Sequence, residues 1–507
     1  MDRLARPIWY PKGDLADLFN LRLNTASDLP LYKQLAEAIS GLIAHGSMQV
    51  GERLPATREL AGQLGLNRTT VSAAYAVLEE AGLIQGHVGR GSFVAKRENA
   101  VAAATTDWDA ILPPMESGFG PSIHEAEISF ATSRPAGDGF PLAQFRRLSK
   151  QVIDSPDAAE ILQLGSPHGY SRLRRYLLEQ ATAAGTARAG DDLIITNGCQ
   201  QGLDLLARLF VHDGESVVLE DPVYHGLVRI FSRAGANMIP IDLGEAGIDV
   251  DRLEEIFLQH RPRLAVLTPS FQNPTGITIP LEHRRRIVEL TQRSGVILLE
   301  NDIYSELRYQ GTPLPTLKEL DETGNTILLR SYSKVSFPGL RVGWVIAPRA
   351  VIECLAESKQ ISDLHSDQLS QAVLLRFAES GELAQHIERT QRAGRERLSA
   401  VLRACTAHLP RGTRFTRPEG GMSLWIELPA PLNAESVLSR AQEGGVTFLP
   451  GRYFSVRRTH TRGLRISFGG LPPEQITRGI QILGEAARRE LTARAVSANF
   501  EPAAALV

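Results

Sequence analysis

The sequence predicts an α/β protein in two parts. A small helical domain closed by a hairpin comes first. A mostly parallel sheet covered by helices follows. Three observations predict this. Residues 29–95 carry helical stripes of apolar residues and then a glycine-rich hairpin pattern. From about residue 126, near-continuous apolar runs alternate with helical segments, which is how a parallel sheet buried on both faces reads. Between them, residues 96–125 are alanine-rich, contain Pro113-Pro114 and keep no period. We read 29–95 as one domain, 96–125 as a linker, 126–490 as the large domain and 491–507 as a tail. As a flexible coil the linker would span on the order of 30 Å.

Composition narrows the function classes. The 507 residues are 43% hydrophobic and 22% charged with net charge −2, the profile of a soluble globular chain with no overall basic excess. Cys199, Cys354 and Cys405 are scattered, form neither a disulfide framework nor a metal pattern, and fit a reducing cytoplasm. No apolar run has signal or spanning length, so a cytoplasmic protein without a membrane contact is expected.

In the first domain, Leu31 to His45 places Leu31, Leu35, Ile39, Leu42 and Ile43 on one helical face. Thr57 is expected to cap a short helix that Gly65 stops. The turn Gly65-Leu66-Asn67 leads into another helix, with Asn67 as N-cap and Val71, Ala74, Tyr75 and Leu78 buried. Leu83 to Val94 reads as a hairpin. Helix, helix, tight turn, helix, hairpin is a winged helix-turn-helix, and the helix after the turn enters the major groove N-terminus first. That assigns Arg68, Thr69, Thr70 and Ser72 to double-stranded DNA, Arg58 to a phosphate, and Arg90 and Gly91 to the wing tip. Lys plus Arg against Asp plus Glu is nine against nine over residues 1–95, so charge alone leaves a packing domain open. The motifs Leu29-Pro-Leu-Tyr-Lys-Gln-Leu, Gly51-Glu-Arg-Leu-Pro-Ala-Thr-Arg-Glu-Leu-Ala, Leu66-Asn-Arg-Thr-Thr-Val and Gly89-Arg-Gly-Ser-Phe-Val resemble the GntR-type DNA-binding domain.

In the large domain, polar residues follow the strand-like runs, where ligands of such sheets gather. Leu193–Thr196 leads into Asn197-Gly-Cys-Gln-Gln201, a helix start suited to an anion. Tyr224, Asn273 in Phe271-Gln-Asn-Pro-Thr-Gly276, and Asn301-Asp302-Ile-Tyr304 follow other runs. In Ser331-Tyr-Ser-Lys334-Val-Ser-Phe-Pro-Gly-Leu-Arg341, a lysine lies among hydroxyls with an arginine seven residues on. That set suits an aldehyde cofactor bearing a phosphate.

Together these motifs resemble the fold type I pyridoxal 5'-phosphate aminotransferases, notably the α-aminoadipate and kynurenine type. The resemblance implies a smaller C-terminal α+β subdomain and implies that Lys334 is the Schiff-base lysine. It implies that Cys199, Gln200, Ser331, Ser333 and Arg341 hold the phosphate and that Tyr224 stacks on the ring. Asn273 and Tyr304 would bond the phenolic oxygen, and Arg465 the carboxylate of a substrate or effector. The family's aspartate partner of the pyridine nitrogen is replaced by Asn301, with Asp302 adjacent. Strand alternation points Asn301 and Asp302 to opposite faces.

A GntR-type domain joined to such a domain resembles the MocR/GabR regulators. This implies a head-to-tail homodimer that binds operator DNA and senses an amine or amino acid, or the cofactor itself, through the internal aldimine at Lys334. The alternative is a working aminotransferase with a retained DNA-binding domain, toward which Asn273 and Gly339 lean. An interaction protein with two vestigial domains is a further alternative, opposed by the intact Lys334 and Arg68.

Overall fold

A computed structural model describes residues 29–87, 90–96, 106–112 and 126–498, with a few positions between 18 and 27. The chain divides into two compact units, Met1–Met115 and Glu116–Val507.

The first unit packs α1 (Leu31–Ala44), α2 (Thr57–Leu64) and α3 (Arg68–Glu80) beside an antiparallel hairpin of β1 (Ile84–His87) and β2 (Gly91–Val94). Leu35, Ile39, Leu60, Val71, Ala74 and Leu78 close the core, as the apolar stripes require. Each such Leu, Ile or Val contributes about 1.5–3 kcal/mol by leaving water. Gly65 takes φ +65 and ends α2, a conformation that disfavours side chains with a Cβ. Asn67 then caps α3 by accepting from the Thr69 N–H at 3.1 Å. One expectation is corrected. Ala56 occupies the N-cap of α2 and makes no side-chain cap bond, while Thr57 is already helical. Val88 and Gly89 of the expected hairpin lie outside the described residues. Of the expected linker, Trp108–Ile111 form one helical turn with Asp107 as its cap, and residues 97–105 and 113–125 are outside the description.

The second unit is built on eight strands. In chain order they are β3 (Asp191–Asn197), β4 (Ser216–Asp221), β5 (Asn237–Gly244), β6 (Gly247–Ile248), β7 (Leu264–Leu267), β8 (Ile297–Asn301), β9 (Thr326–Ser331) and β10 (Val342–Pro348). Their order across the sheet is β3-β10-β9-β8-β7-β4-β5-β6. The run from β9 to β5 is parallel, and β10 pairs antiparallel with both β9 and β3. One face packs on α4 (Gly198–Phe210), with Leu203, Leu206, Leu299 and Leu329 in its core. The opposite face carries Leu298 against Ile287 and Leu290 of the helix Leu281–Ser294. The C-terminal subdomain packs α5 (Glu382–His408) and α6 (Pro473–Ala498) against a sheet centred on β11 (Ser423–Glu427) and β12 (Gly463–Ser467). Residues 491–498, read as tail, continue α6, since no glycine or proline interrupts Leu491 to Ala498. Among the described residues no helix is long and apolar enough to cross a membrane.

Candidate functional site

In the first unit, the tight turn fixes the start of α3, whose first residue is Arg68. Arg68, Thr69 and Ser72 are exposed and Thr70 is half-buried, so the helix offers its first turn to solvent while Val71 faces the core. Arg58 is exposed in the first turn of α2, and Arg90 and Gly91 are exposed at the hairpin turn. Arg53 was not anticipated. It bridges to Phe93 and packs on Gly91, where an added Cβ would lie 3.0 Å from its Nε. It lies far from the hairpin in sequence, and only the fold brings it there.

In the second unit, the strand ends converge. β3 delivers Asn197, and Gly198 turns the chain at φ +71 into α4. The first-turn N–H groups of a helix have no carbonyl partner within it and favour an anion. The Arg341 guanidinium lies against Gly198, in the space that a Cβ would fill, and donates to the Asn197 carbonyl at 3.4 Å. At the end of β9, the Ser331 hydroxyl donates to the Val342 carbonyl at 2.7 Å and accepts from the Ser333 N–H at 3.0 Å. Arg341, Cys199 and Ser331 thus meet at the start of α4, with Gln200 in its first turn and Ser333 bonded to Ser331, a corner whose N–H groups and guanidinium suit an anion. The Cys199 thiol itself points at the Arg330 carbonyl, 3.5 Å away, and burial pushes it up to about 12.

Lys334 donates to the Ser133 carbonyl at 2.8 Å, and its nitrogen lies 6.0 Å from the centre of the Tyr304 ring. Burial, then repulsion from Arg465, brings its amine down to about 8, with Arg341 acting the same way and Cys199 opposing. The Asn273 amide donates to the Tyr304 hydroxyl at 3.2 Å, and its oxygen accepts from Arg465 at 3.1 Å. Arg465 also donates to the Ala131 carbonyl and lies over the Phe454 ring. Burial lowers its guanidinium to about 10. Tyr224 reaches over to Gln200, with its hydroxyl 3.4 Å from the amide oxygen. The carbonyls of Ala131 and Ser133 were missed by sequence reasoning, because a backbone oxygen leaves no residue-type signature.

Asn301 and Asp302 part as alternation requires. Asn301 follows Leu299 on the face that carries α4, is 3% exposed, and its Oδ1 has no hydrogen-bond partner. Its amide nitrogen reaches only Thr268, at 3.5 Å. Asp302 is drawn to Arg330 at 2.8 Å and accepts from the Ser305 hydroxyl at 2.9 Å. Both contacts fall on one carboxylate oxygen of Asp302, and its Oδ1, like that of Asn301, is buried without a partner, so each of the two candidates for the ring nitrogen keeps a free oxygen.

These residues fit pyridoxal phosphate. The anion corner, the buried amine of low basicity and the phenol–amide–guanidinium chain match its phosphate, aldehyde, oxygen and substrate side. Buried polar atoms left without partners include Asn301 Oδ1, Asp302 Oδ1, Ser133 Oγ and Arg465 Nε. Position 301 carries an amide, and the carboxylate stands next to it at Asp302.

Comparison with known proteins agrees with both halves. The family model for aminotransferase class I and II matches residues 127–483, and that for bacterial regulatory proteins of the gntR family matches residues 31–94. A 2-aminoadipate transaminase of Thermus thermophilus is 36% identical over 362 residues, 71% of this chain and 89% of that protein. The probable rhizopine catabolism regulatory protein MocR of Rhizobium meliloti is 28% identical over 475 residues, 92% of this chain and 95% of that protein. The crystal structure of LysN, an alpha-aminoadipate aminotransferase of Thermus thermophilus complexed with N-(5'-phosphopyridoxyl)-L-leucine, superposes with TM-score 0.68 at 35% identity. It covers 72% of this chain and 93% of that one.

Proposed function

Because the chain belongs to the class I and II aminotransferase family and carries a gntR-family domain ahead of it, we propose that it is a DNA-binding transcriptional regulator that senses an amino compound. The observation that carries this reading is the presence of both domains in one chain, matched together across nine-tenths of its length by a regulator. Pyridoxal phosphate is the cofactor, and when bound it supplies an aldehyde carbon that takes the amine of Lys334 or that of an incoming amino acid. Lys334 would hold it covalently, with Arg341, Ser331, Ser333 and the start of α4 on its phosphate, and Tyr224, Asn273, Asn301 and Tyr304 around its ring. The protein acts in the cytoplasm as a homodimer, head to tail, on operator DNA.

The chain's own residues explain how a ligand is felt. Arg465 rests on the Ala131 carbonyl and Lys334 on the Ser133 carbonyl. A bound amino acid would bring its carboxylate to Arg465 and its amine to the position that Lys334 holds. Both cations then exchange their contacts with one segment. That segment continues from Phe130, which bonds Thr447 and Ser467 of the C-terminal subdomain. The two states differ in defined contacts, which is what a shift of equilibrium needs.

The test is a gel-shift and footprinting series on the DNA flanking the gene, with cofactor present, with and without amino acids. A footprint whose affinity moves with an amino acid supports the reading, and absence of any footprint refutes it. A second reading, a working aminotransferase, is favoured by the intact lysine site and the 36% identity to the transaminase. Turnover with an amino acid and 2-oxoglutarate at ordinary enzyme rates would establish it.

A further inference from the structure

Four lysines and arginines among the described residues are buried, namely Arg284, Lys318, Lys359 and Arg465. Lys318 pairs with Asp191 at 3.0 Å and Lys359 with Asp363 at 2.7 Å. Arg465 bonds an amide and a carbonyl of the site described above. Arg284 lies outside that site. It opens the run Arg284-Arg285-Arg286 of the helix Leu281–Ser294, whose other two arginines are exposed. Arg284 is fully buried, and burial lowers its basicity. A buried guanidinium with no carboxylate in contact is unfavourable unless its donors find acceptors.

Those donors converge on one loop. Nε donates to the Ile279 carbonyl at 2.8 Å, and Nη2 donates to the Pro269 carbonyl at 2.8 Å and to the Ser270 hydroxyl at 2.9 Å. Nη1 donates to the Pro315 carbonyl at 2.7 Å. Pro269 and Ile279 are the feet of the loop that follows β7, and the Ile279 N–H joins them by donating to the Pro269 carbonyl at 2.9 Å. Asn273 stands between the feet in sequence, with its amide nitrogen 3.2 Å from the Tyr304 hydroxyl and its oxygen 3.1 Å from Arg465. The chain between is stiff. Phe271 takes φ +51, and Gln272 braces the inside by accepting from the Thr275 N–H at 3.0 Å. Gly276 packs so closely that an added Cβ would meet the Ser423 carbonyl. A displacement at the feet is therefore carried to Asn273.

We infer that Arg284 is a positioning residue of the site: by clamping both feet of the Pro269–Ile279 loop it holds the Asn273 amide between Tyr304 and Arg465, and so sets how strongly Arg465 holds the carboxylate of an amino compound. The inference rests on the sensing reading above, with the carboxylate at Arg465. An arginine suits the task because one planar fork reaches three carbonyls and a hydroxyl at fixed angles, which the single ammonium of a lysine does not. Arg284 acts through Asn273 and touches no ligand itself.

The experiment titrates the cofactor absorbance of the holoprotein with L-norleucine and with n-pentylamine, which is norleucine without its carboxylate. The ratio of the two affinities reads the carboxylate contact. Arg284→Lys should lower that ratio about tenfold, the effect of roughly one hydrogen bond to a charged group, and leave the affinities for pyridoxal phosphate and pentylamine within about twofold of wild type. Ser270→Ala removes one acceptor of the clamp and is the variant to use if Arg284→Lys does not fold. It should lower the ratio in the same direction, about threefold. In the Asn273→Ala background neither substitution should lower the ratio further, because the path through Asn273 is gone. An unchanged ratio, a ratio that falls by the same factor in both backgrounds, or equal losses for the cofactor and both amines overturns the inference. A readout without ligand separates this failure from failure of the sensing reading. The pH midpoint of the holoprotein absorbance responds to hydrogen bonds from Asn273 and Tyr304 to the ring oxygen. If neither amine moves the absorbance, sensing at Lys334 is refuted, and a midpoint displaced in the same direction by Arg284→Lys and by Asn273→Ala still supports the clamp. A midpoint left at the wild-type value by Arg284→Lys, or displaced the other way, overturns it.

Discussion

Replacing Asn301 by aspartate tests which residue faces the cofactor ring. Asn301 is 3% exposed with an unpaired oxygen, and its neighbour Glu300 is fully buried. Burial, then the charge of Asp302, already pushes Glu300 up to about 7. A carboxylate at 301 in the protein without cofactor would be one more buried acid in that run, with no cation of its own. An uncompensated buried charge costs about 3–5 kcal/mol, less where the group can hold a proton instead. Cofactor supplies a ring nitrogen that the carboxylate can keep protonated. The variant should therefore lose stability mainly without cofactor and recover much of it with cofactor. If about 2.7 kcal/mol of that cost is relieved, affinity for pyridoxal phosphate tightens about 100-fold. Thermal unfolding with and without cofactor, together with cofactor titration, reads both effects. Asp302→Asn is the control. It removes the ion pair with Arg330 at 2.8 Å, leaving Arg330 with Glu306 at 3.9 Å and the Ser305 hydroxyl at 3.0 Å, and should destabilise both forms alike. Withdrawal of a proton from an amino acid's Cα needs an electron-accepting ring, so Asn301→Asp should also raise the half-transamination rate in stopped flow. Selective loss of cofactor affinity in Asp302→Asn, with Asn301→Asp unchanged, would refute the placement of the two faces.

Three further outcomes follow from the same geometry. Lys334 must be neutral to attack an aldehyde. With its amine near 8 instead of 10.5, about a tenth is neutral at pH 7 rather than about one part in 3,000. Covalent cofactor uptake, followed by absorbance, should rise about tenfold per pH unit below about 8 and level off above it, and a rate still climbing at pH 10 contradicts the burial argument. Arg68→Ala should abolish sequence-specific binding, a bidentate contact contributing about 1–3 kcal/mol of discrimination, while Arg58→Ala weakens all sequences and flattens the salt dependence in gel shifts. Gly198→Ala combines a left-handed φ of +71 with a Cβ in the space of the Arg341 guanidinium, and should weaken cofactor binding at least tenfold by titration while leaving DNA binding of the cofactor-free protein intact.

Much of the site was legible because chemistry collects at strand ends. Asn197, Asn301 and Ser331 close their strands, and each strand runs one or two residues beyond its apolar run, since hydrogen bonding along the sheet does not stop where hydrophobicity does. The turn before α3 was legible because Gly65 and Asn67 each have one mechanical reason to be there. Thr57 misled because a hydroxyl at a helix start resembles a cap whether it stands at the cap or one residue inside. The carbonyls of Ala131 and Ser133 were not legible, because a backbone oxygen carries no residue-type signature.

The electrostatics of the site explain why it suits a sensor. Lys334 feels Arg465 and Arg341 as its charged neighbours, and both Lys334 and Arg465 are held below their ordinary basicity by burial. Asp302 is tied to Arg330 through one of its oxygens. Under the proposed function the balancing negative charge would come with the ligands, as a phosphate at Arg341 and a carboxylate at Arg465. Each ligand thus relieves repulsion that the protein alone does not, and its binding adds stability by mass action, about 2.7 kcal/mol at a hundredfold excess over Kd. An amide at position 301 fits the same logic. Under the proposed function it would accommodate the ring without fixing a charge there, and the contacts exchanged on binding would be those of Lys334 and Arg465 with the Ala131–Ser133 segment. An enzyme gains by releasing its ligand transformed. A regulator gains by holding it long enough for those exchanged contacts to be read.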